Sequence, residues 1–228
     1  MTIRPVVVDI NHADGSREDN GRHIDQIDYE KFKRAGFLGL IHKATEGGRF
    51  VDPLYAVRRP RAIAAGLLWG AYHFMRPGDV GDQVSVFLNA AGRYPASGRP
   101  FIRYVLDYED DKCGLWQAER WLELVHNITG QRPWLYGGGV LKDQIKRGHA
   151  PSLGQFPLWL AEYGPDERLP PAWKTAVLWQ RSGDGIGPGI HDVPGIGRKM
   201  DIDYFDGTDD ELRAAWLDAG SGASAGVA

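Results

Sequence analysis

The chain has 228 residues, 43% of them hydrophobic, which suffices for one sizeable core and suits a single closed α/β barrel. Its 27 basic and 30 acidic side chains give a formal net charge of −3 without a long block of one sign, which argues against a nucleic-acid binder. The single Cys113 excludes an intramolecular disulfide and a cysteine cage for zinc, and no run approaches the ~18–20 apolar residues of a membrane span.

Taken in chain order, short apolar runs alternate with helical patterns. Met1 to Pro5 lacks the apolar run and cleavage site of a signal peptide and leads straight into Val6–Ile10, which reads as a buried strand. A polar loop is expected from Asn11 to His23, then a helix over Ile27 to Ala35 and a strand over Phe37 to His42. Pro53 to Gly66 predicts a helix stopped by glycine, Leu67 to Phe74 a strand, Asp79 to Ala91 a helix and Ile102 to Leu106 a strand. Leu115 to Ile128 is a well-patterned helix, Pro133 to Tyr136 a strand, and Val140 to Arg147 a short helix. Phe156 to Ala161, Ala176 to Gln180 and Met200 to Asp203 follow as strands without long helices between them, with a Gly/Pro-rich loop from Ser182 to Gly197. Asp209 to Leu217, acidic in its first turn, closes as a helix, and the small polar residues 219–228 are expected to be a disordered tail. Strand–helix alternation early and bare strands late predict a barrel of parallel strands with helices missing, in one domain spanning residues 1–218.

Several predicted strands end in polar residues: Asp9, His42-Lys43, His73, Asp107-Tyr108-Glu109, Glu162 and Asp201. In a parallel barrel the carboxyl ends of the strands ring one pocket. Asp107 and Glu109 are the sharpest pair, because residues i and i+2 share a strand face about 6.5 Å apart at Cα. Two carboxyls so placed repel when both are ionised, so one is pushed to hold its proton beside an ionised partner, as glycosidic cleavage requires. The other reading is a solvated turn, since Asp110 and Asp111 follow at once. His73 is open to three readings: a base, a metal ligand or, most commonly, a satisfied core donor. No metal-ligand spacing occurs, and no metal or other cofactor is expected. Gly137-Gly138-Gly139 and the glycines from Gly183 to Gly197 match no phosphate or dinucleotide fingerprint and read as flexible loops. No Gly-x-Ser-x-Gly elbow supports a serine nucleophile. The 8 Trp are either core or stacking platforms for sugars.

Eight short segments also stand in a recognisable order. They are Val8-Asp9-Ile10, Lys43-Ala44-Thr45-Glu46-Gly47, Asp52-Pro53, Gly66-Leu67 with Gly70-Ala71-Tyr72-His73-Phe74, Val105-Leu106-Asp107-Tyr108-Glu109, Pro157 to Ala161, Trp179-Gln180 and Asp201-Ile202-Asp203-Tyr204-Phe205. Together, from Val6 to Trp216, the chain resembles glycoside hydrolase family 25, the lysozymes known from fungal and phage sources. The resemblance implies an irregular TIM-like barrel of eight strands and about five helices, (β/α)5(β)3. It implies hydrolysis of the β-1,4 bond between N-acetylmuramic acid and N-acetylglucosamine in peptidoglycan. Carried over, Glu109 would be the general acid, Asp107 would support the reacting centre, and Asp9 and Asp201 would complete the acidic cluster. Tyr72 and Tyr136 would line the −1 sugar pocket, with Trp159, Gln180, Lys43 and Glu46 as further substrate contacts. A substrate-assisted, retaining route and an inverting one with Asp9 or Asp201 activating water both remain open.

The chain departs from the family pattern in having Asn11-His12 where a serine, an aromatic and a glutamine are usual, in the polar insertion Asp14 to His23, and in a long loop before Asp201. The partner implied is the peptidoglycan strand, attacked outside the cytoplasm by a monomer that inserts in no membrane. Without a signal peptide, release through a phage pore or a non-standard export route is expected. Two rival readings are a non-catalytic glycan-binding module on the same fold and a hydrolase of another N-acetylated polymer such as chitin.

Overall fold

A computed structural model describes residues 3–92, 101–147, 151–197 and 199–218. β1 (Ile3–Ile10) leads through a small hairpin, β2 (Ser16–Asp19) and β3 (Arg22–Asp25), to α1 (Tyr29–Arg34). β4 (Gly39–Glu46) turns into the two-residue β5 (Phe50–Val51) and then α2 (Tyr55–Ala64). Three β/α units follow: β6 (Leu68–Phe74) with α3 (Val80–Ala91), β7 (Ile102–Asp107) with α4 (Leu115–Thr129), and β8 (Trp134–Gly137) with α5 (Gly139–Arg147). β9 (Leu158–Ala161), β10 (Leu178–Ser182) and β11 (Asp201–Asp206) then succeed one another without an α-helix, and α6 (Asp209–Leu217) comes last. The expected tail, residues 219–228, lies outside the described residues.

The main sheet runs β1-β11-β10-β9-β8-β7-β6-β4 and closes by pairing β1 with β4, so the α/β barrel of eight strands is present. Five β/α units are followed by three bare strands, as the sequence pattern implies. One expectation needs correction. β11 runs antiparallel to both β10 and β1, whereas the other barrel pairings are parallel. A parallel strand needs a crossover to carry the chain back to the starting end. The segment between β10 and β11 makes no such return, so β11 re-enters from the end where β10 stopped.

The polar loop after β1 is also more ordered than expected, since β2 and β3 pair from Ser16↔Asp25 to Asp19↔Arg22. Its anchor is Arg58 of α2, wholly buried. Arg58 pairs with Asp25 at 3.0 Å and donates to the carbonyls of Asn11 (2.8 Å) and Asp14. The glycine triplet is likewise no flexible loop, because Gly137 ends β8 and Gly139 opens α5. A Cβ on Gly138 would lie 2.7 Å from the Ala161 carbonyl oxygen, so the close approach of β8 to β9 demands glycine there.

Strand alternation sorts the core into two shells. Tyr104, Leu106, Leu135, Leu158, Leu160, Trp179, Ile202 and Tyr204 join the apolar cluster under the helices. The residues between them, Val105, Trp134, Tyr136, Trp159 and Leu178, form a second cluster inside the barrel with Leu212 and Trp216 of α6. α6 is started by a capping box, with Thr208 and Glu211 exchanging hydrogen bonds (2.7 and 3.2 Å), and it plugs the amino end of the barrel. The Trp216 indole donates to the Trp69 carbonyl at 3.1 Å and meets Trp134 edge-on at 5.3 Å.

Arg103, fully buried, fastens the plug. It stacks 5.0 Å over Trp134 and donates to the carbonyls of Ala215 (3.2 Å), Trp216 and Asp218 (2.7 Å) at the end of α6. Arg103→Met therefore strips buried carbonyls of their donor and should lower unfolding free energy by about 2–4 kcal/mol in urea denaturation. A loss under about 0.5 kcal/mol, the usual size of a surface change, would mean that α6 is held by Leu212 and Trp216 without Arg103.

Candidate active site

Side chains of inward parity near the carboxyl ends of the parallel strands are polar rather than apolar. β1 supplies Asp9, β6 Tyr72, β7 Asp107, β8 Tyr136 and β10 Gln180. β11 supplies Asp201 and Asp203 from its beginning rather than its end, because it runs the other way. Asp9 and Asp201 are direct antiparallel partners across β1 and β11. Asp107 stands beside Tyr136 on the next strand.

Glu109 lies two residues past Asp107 and beyond the end of β7, so the strand itself does not position it. Tyr108 does. Its ring is buried in the helix-side cluster, its N–H donates to the Tyr136 carbonyl at 3.0 Å and its hydroxyl to the Cys113 carbonyl at 2.6 Å. With Tyr108 turned outward, Glu109 falls on the barrel side, next to the Tyr136 hydroxyl.

Hydrogen bonds tie these groups into two chains. The Tyr136 hydroxyl donates to Gln180 Oε1 at 2.7 Å, and Gln180 Nε2 donates to Asp9 Oδ2 at 2.9 Å. Below them, the Trp159 indole donates to Asp203 Oδ1 at 2.6 Å, and the Trp159 ring packs 4.4 Å from that of Tyr136. Trp159 is only 2% exposed, so it supports Tyr136 from beneath and presents no open face to a sugar. Asp107 Oδ1 and Asp203 Oδ2 are buried without a partner among the described residues.

This crowding shifts every carboxyl in the same direction. Asp9 is raised by burial and then by Asp201 and Asp203, and Asp107 by burial and then by Glu109. Asp203 is raised by burial and then by Asp201, against the Trp159 hydrogen bond. Asp201 is pushed up to about 7 by burial and then by Asp184. Glu109 keeps surface open to solvent, yet the protein around its inner side raises it too.

The other candidates from the sequence are held in ion pairs or in the core. Lys43 is ion-paired with Glu46, which also takes Arg76 at 2.8 Å, and Arg76 reaches Asp110 at 2.9 Å. This charged ridge borders Asp107. Glu162 is absorbed by Lys142 and Arg168. His73 is a satisfied core residue: its Nε2 donates to Gln83 Oε1 (3.0 Å), its Nδ1 accepts from Thr45 Oγ1 (2.7 Å), and it stacks on Trp121. His42 is equally enclosed, against Arg58 and the Lys43 carbonyl. Burial lowers both histidines to about 4, so neither carries charge near neutrality.

Tyr163, Gly183 and Asp203 were not among the expected site residues. Tyr163, 39% exposed, feels the charges of Asp201, Asp9 and Glu109. A Cβ on Gly183 would collide with both the Asp201 carboxylate and the Tyr163 hydroxyl. The signal for Tyr163 was its place just after β9, an aromatic at a strand's carboxyl end.

The profile of Glycosyl hydrolases family 25 matches residues 19–190. The chain belongs to this family, and it is a glycoside hydrolase. Protein YegX of Escherichia coli O157:H7 is 30% identical over 215 residues, covering 86% of this chain and 71% of its own. Lysozyme M1 of Streptomyces globisporus is 25% identical over 221 residues, covering 91% and 69% respectively. The lysozyme structure from Streptomyces coelicolor superposes with a TM-score of 0.72 at 22% identity, over 91% of this chain and 94% of that one. Asp9 and Asp201 fall outside the matched segment, and barrel closure is what brings them to this hydrolase's mouth.

The shift at Asp201 has a consequence for stability. An acid whose folded pKa is raised from about 3.9 binds its proton more tightly when folded, so the stability this gives is present at low pH. That stability is lost as pH rises through about 7. Asp201→Asn keeps an acceptor for the Asp184 N–H, which lies 3.1 Å from Asp201 Oδ1, and never ionises. The variant should melt higher than the parent at about pH 8, with the difference vanishing toward about pH 4. Melting lower at the higher pH would show an Asp201 carboxylate stabilised by its surroundings.

Proposed function

We propose that this hydrolase is a muramidase, cutting the β-1,4 bond between N-acetylmuramic acid and N-acetylglucosamine in peptidoglycan, with Glu109 as general acid. The observation that carries the reading is the meeting of Asp9, Asp107, Asp201 and Glu109 at one mouth of a family 25 barrel. The naming of lysozyme M1 and of the Streptomyces coelicolor structure as lysozymes supports the choice of polymer.

Glu109 has the attributes of a proton donor: a pKa raised by burial and a side open to solvent. The Tyr136 hydroxyl beside it opposes this rise, because its hydrogen bond favours the ionised form, and burial outweighs it. Asp107 presents a buried oxygen without a partner among the described residues, suited to accept the acetamido N–H of the −1 sugar. Held so, the acetamido carbonyl oxygen bonds to the anomeric carbon while the glycosidic C–O bond breaks and Glu109 gives its proton to the leaving oxygen. Water then opens the resulting ring, returning a proton to Glu109, with configuration retained. Asp9 and Asp201 tune this pair by charge. Tyr72 and Tyr136 line the sugar pocket, with Trp159 packed against Tyr136 and Gln180 bonded to its hydroxyl. Lys43 and Glu46 border it. The enzyme acts outside the cytoplasm, where its polymer lies, as a single catalytic unit and a monomer. No helix among the described residues is long and apolar enough to cross a membrane.

Glu109→Gln should lower kcat on purified peptidoglycan by about 10²–10⁴-fold, the usual worth of a general acid. Asp107→Asn should lower kcat while leaving the fold intact, and the first-formed anomer, read by NMR, should be β. Turbidity clearing that persists in both variants overturns these roles. Muramic acid at the new reducing ends, read by mass spectrometry, separates this reading from a hydrolase of another N-acetylated polymer.

A further inference from the structure

A cavity of about 740 Å³ opens beside the acidic cluster rather than at it. Its walls come from the β4–β5 turn, the segment after β6 and the start of α3, including Lys43, Arg49, Phe50, Arg76 and Asp82. It adjoins the site, because Lys43, Glu46 and Arg76 all act on the charge of Asp107, and Phe74 and Asp107 are partners across β6 and β7. Two of its walls approach each other: a Cβ on Gly48 would lie 3.9 Å from that of Asp82.

Most of the charges in this cavity are committed. Lys43 and Arg76 pair with Glu46, and they flank the Phe74 ring at 4.9 and 4.5 Å. His12 is held by Asp52 at 2.8 Å, Asp79 caps α3, and Gln83 serves His73 and Arg76. Two opposite charges are left with neither an ion pair nor a side-chain hydrogen bond among the described residues. Arg49 stands in the β4–β5 turn, and Asp82 in the first turn of α3, both exposed. Phe50, 39% exposed, adds an apolar face. One free cation, one free anion and a ring beside a sugar cleft complement a short zwitterionic peptide better than they complement a neutral sugar.

We infer that this cavity is a subsite for the peptide branch of the glycan, with Arg49 taking a carboxylate of the branch and Asp82 its ammonium group. The inference rests on the muramidase reading, since in peptidoglycan it is the muramic acid that bears such a branch, carrying both acidic and amino groups. A strand lying across the barrel mouth would then be read at two places, the sugar by the acidic cluster and the branch by the cavity.

The test compares peptide-bearing strands with strands stripped of peptide by an N-acetylmuramoyl-L-alanine amidase. The wild type should have the lower KM on peptide-bearing strands. Arg49→Glu should raise that KM about five- to tenfold, the worth of a reversed exposed charge, and Asp82→Asn should raise it less. Both should leave KM and kcat on stripped strands unchanged, which also reports an intact fold. Free stem tetrapeptide should inhibit the wild type competitively, and inhibit Arg49→Glu more weakly. Equal effects on the two substrates, no effect on either, or no inhibition by the peptide would overturn the subsite while leaving the muramidase reading standing. A wild type that cleaves neither substrate overturns both.

Discussion

Closure of the barrel through the antiparallel pairing of β1 with β11 is the constraint from which the rest of the site follows. Along each strand, side chains alternate between the helix layer and the interior, so parity alone fixes which residues share the interior. Pairing Asp9 with Asp201, and Val7 with Asp203, puts three carboxyls on two neighbouring strands with one facing direction. A slip of one residue would turn Val8 inward and send Asp9 toward the helices. The apolar halves of the same inward rows, Trp134, Trp159 and Leu178 with α6 beneath, fill the barrel lower down. Polar residues are thereby restricted to the mouth.

Irregularities in the ladder adjust this rule where chemistry or packing needs it. In β4 the register shifts between Lys43 and Thr45. Ala44 then lies in the helix-side cluster, and Thr45 also reaches outward to His73. Lys43 is left inside, near Asp107, and His42 of β4 and His73 of β6 are buried as neutral donors and acceptors. A shift between Gln180 and Ser182 plays a similar part in β10, ending the ladder just where Gly183 must pass between Asp201 and Tyr163. These adjustments leave carboxyls crowded together, and burial with neighbouring charges raises Asp9, Asp107 and Asp201.

Much of this could be read from the residue pattern, for reasons that also explain what could not. The buried strands and amphipathic helices have strong periodicity, and Asp107 with Glu109 stood out because their spacing survives whatever the strand's exact end. The direction of β11 was hidden, because a period of two reads the same from either end, and only the loop before it decides. The β2–β3 hairpin was hidden because Ser16-Arg17-Glu18-Asp19 has no apolar face, and its order comes from Arg58, far along the chain. Trp159 suggested a sugar platform, but its indole N–H is claimed by Asp203, a long-range contact that no local pattern encodes. The glycines at 137–139 suggested looseness, whereas the neighbouring backbone requires them.

Tyr108 shows how little local structure a site residue needs when its neighbours are well placed. Glu109 lies past the last rung of β7 and receives no ladder support of its own. Tyr108 converts core packing into position, since its buried ring and two backbone-directed hydrogen bonds fix the chain on both sides. A strand rung would have enclosed Glu109 as it encloses Asp107, which is 6% exposed. A free loop would have left it fully hydrated, with nothing to raise its pKa. Standing one buried tyrosine beyond the strand, Glu109 is desolvated on the side facing Tyr136 and open on the other. That asymmetry gives Asp107 and Glu109 different environments within three residues, so two carboxyls of similar intrinsic acidity can take separate parts in one reaction.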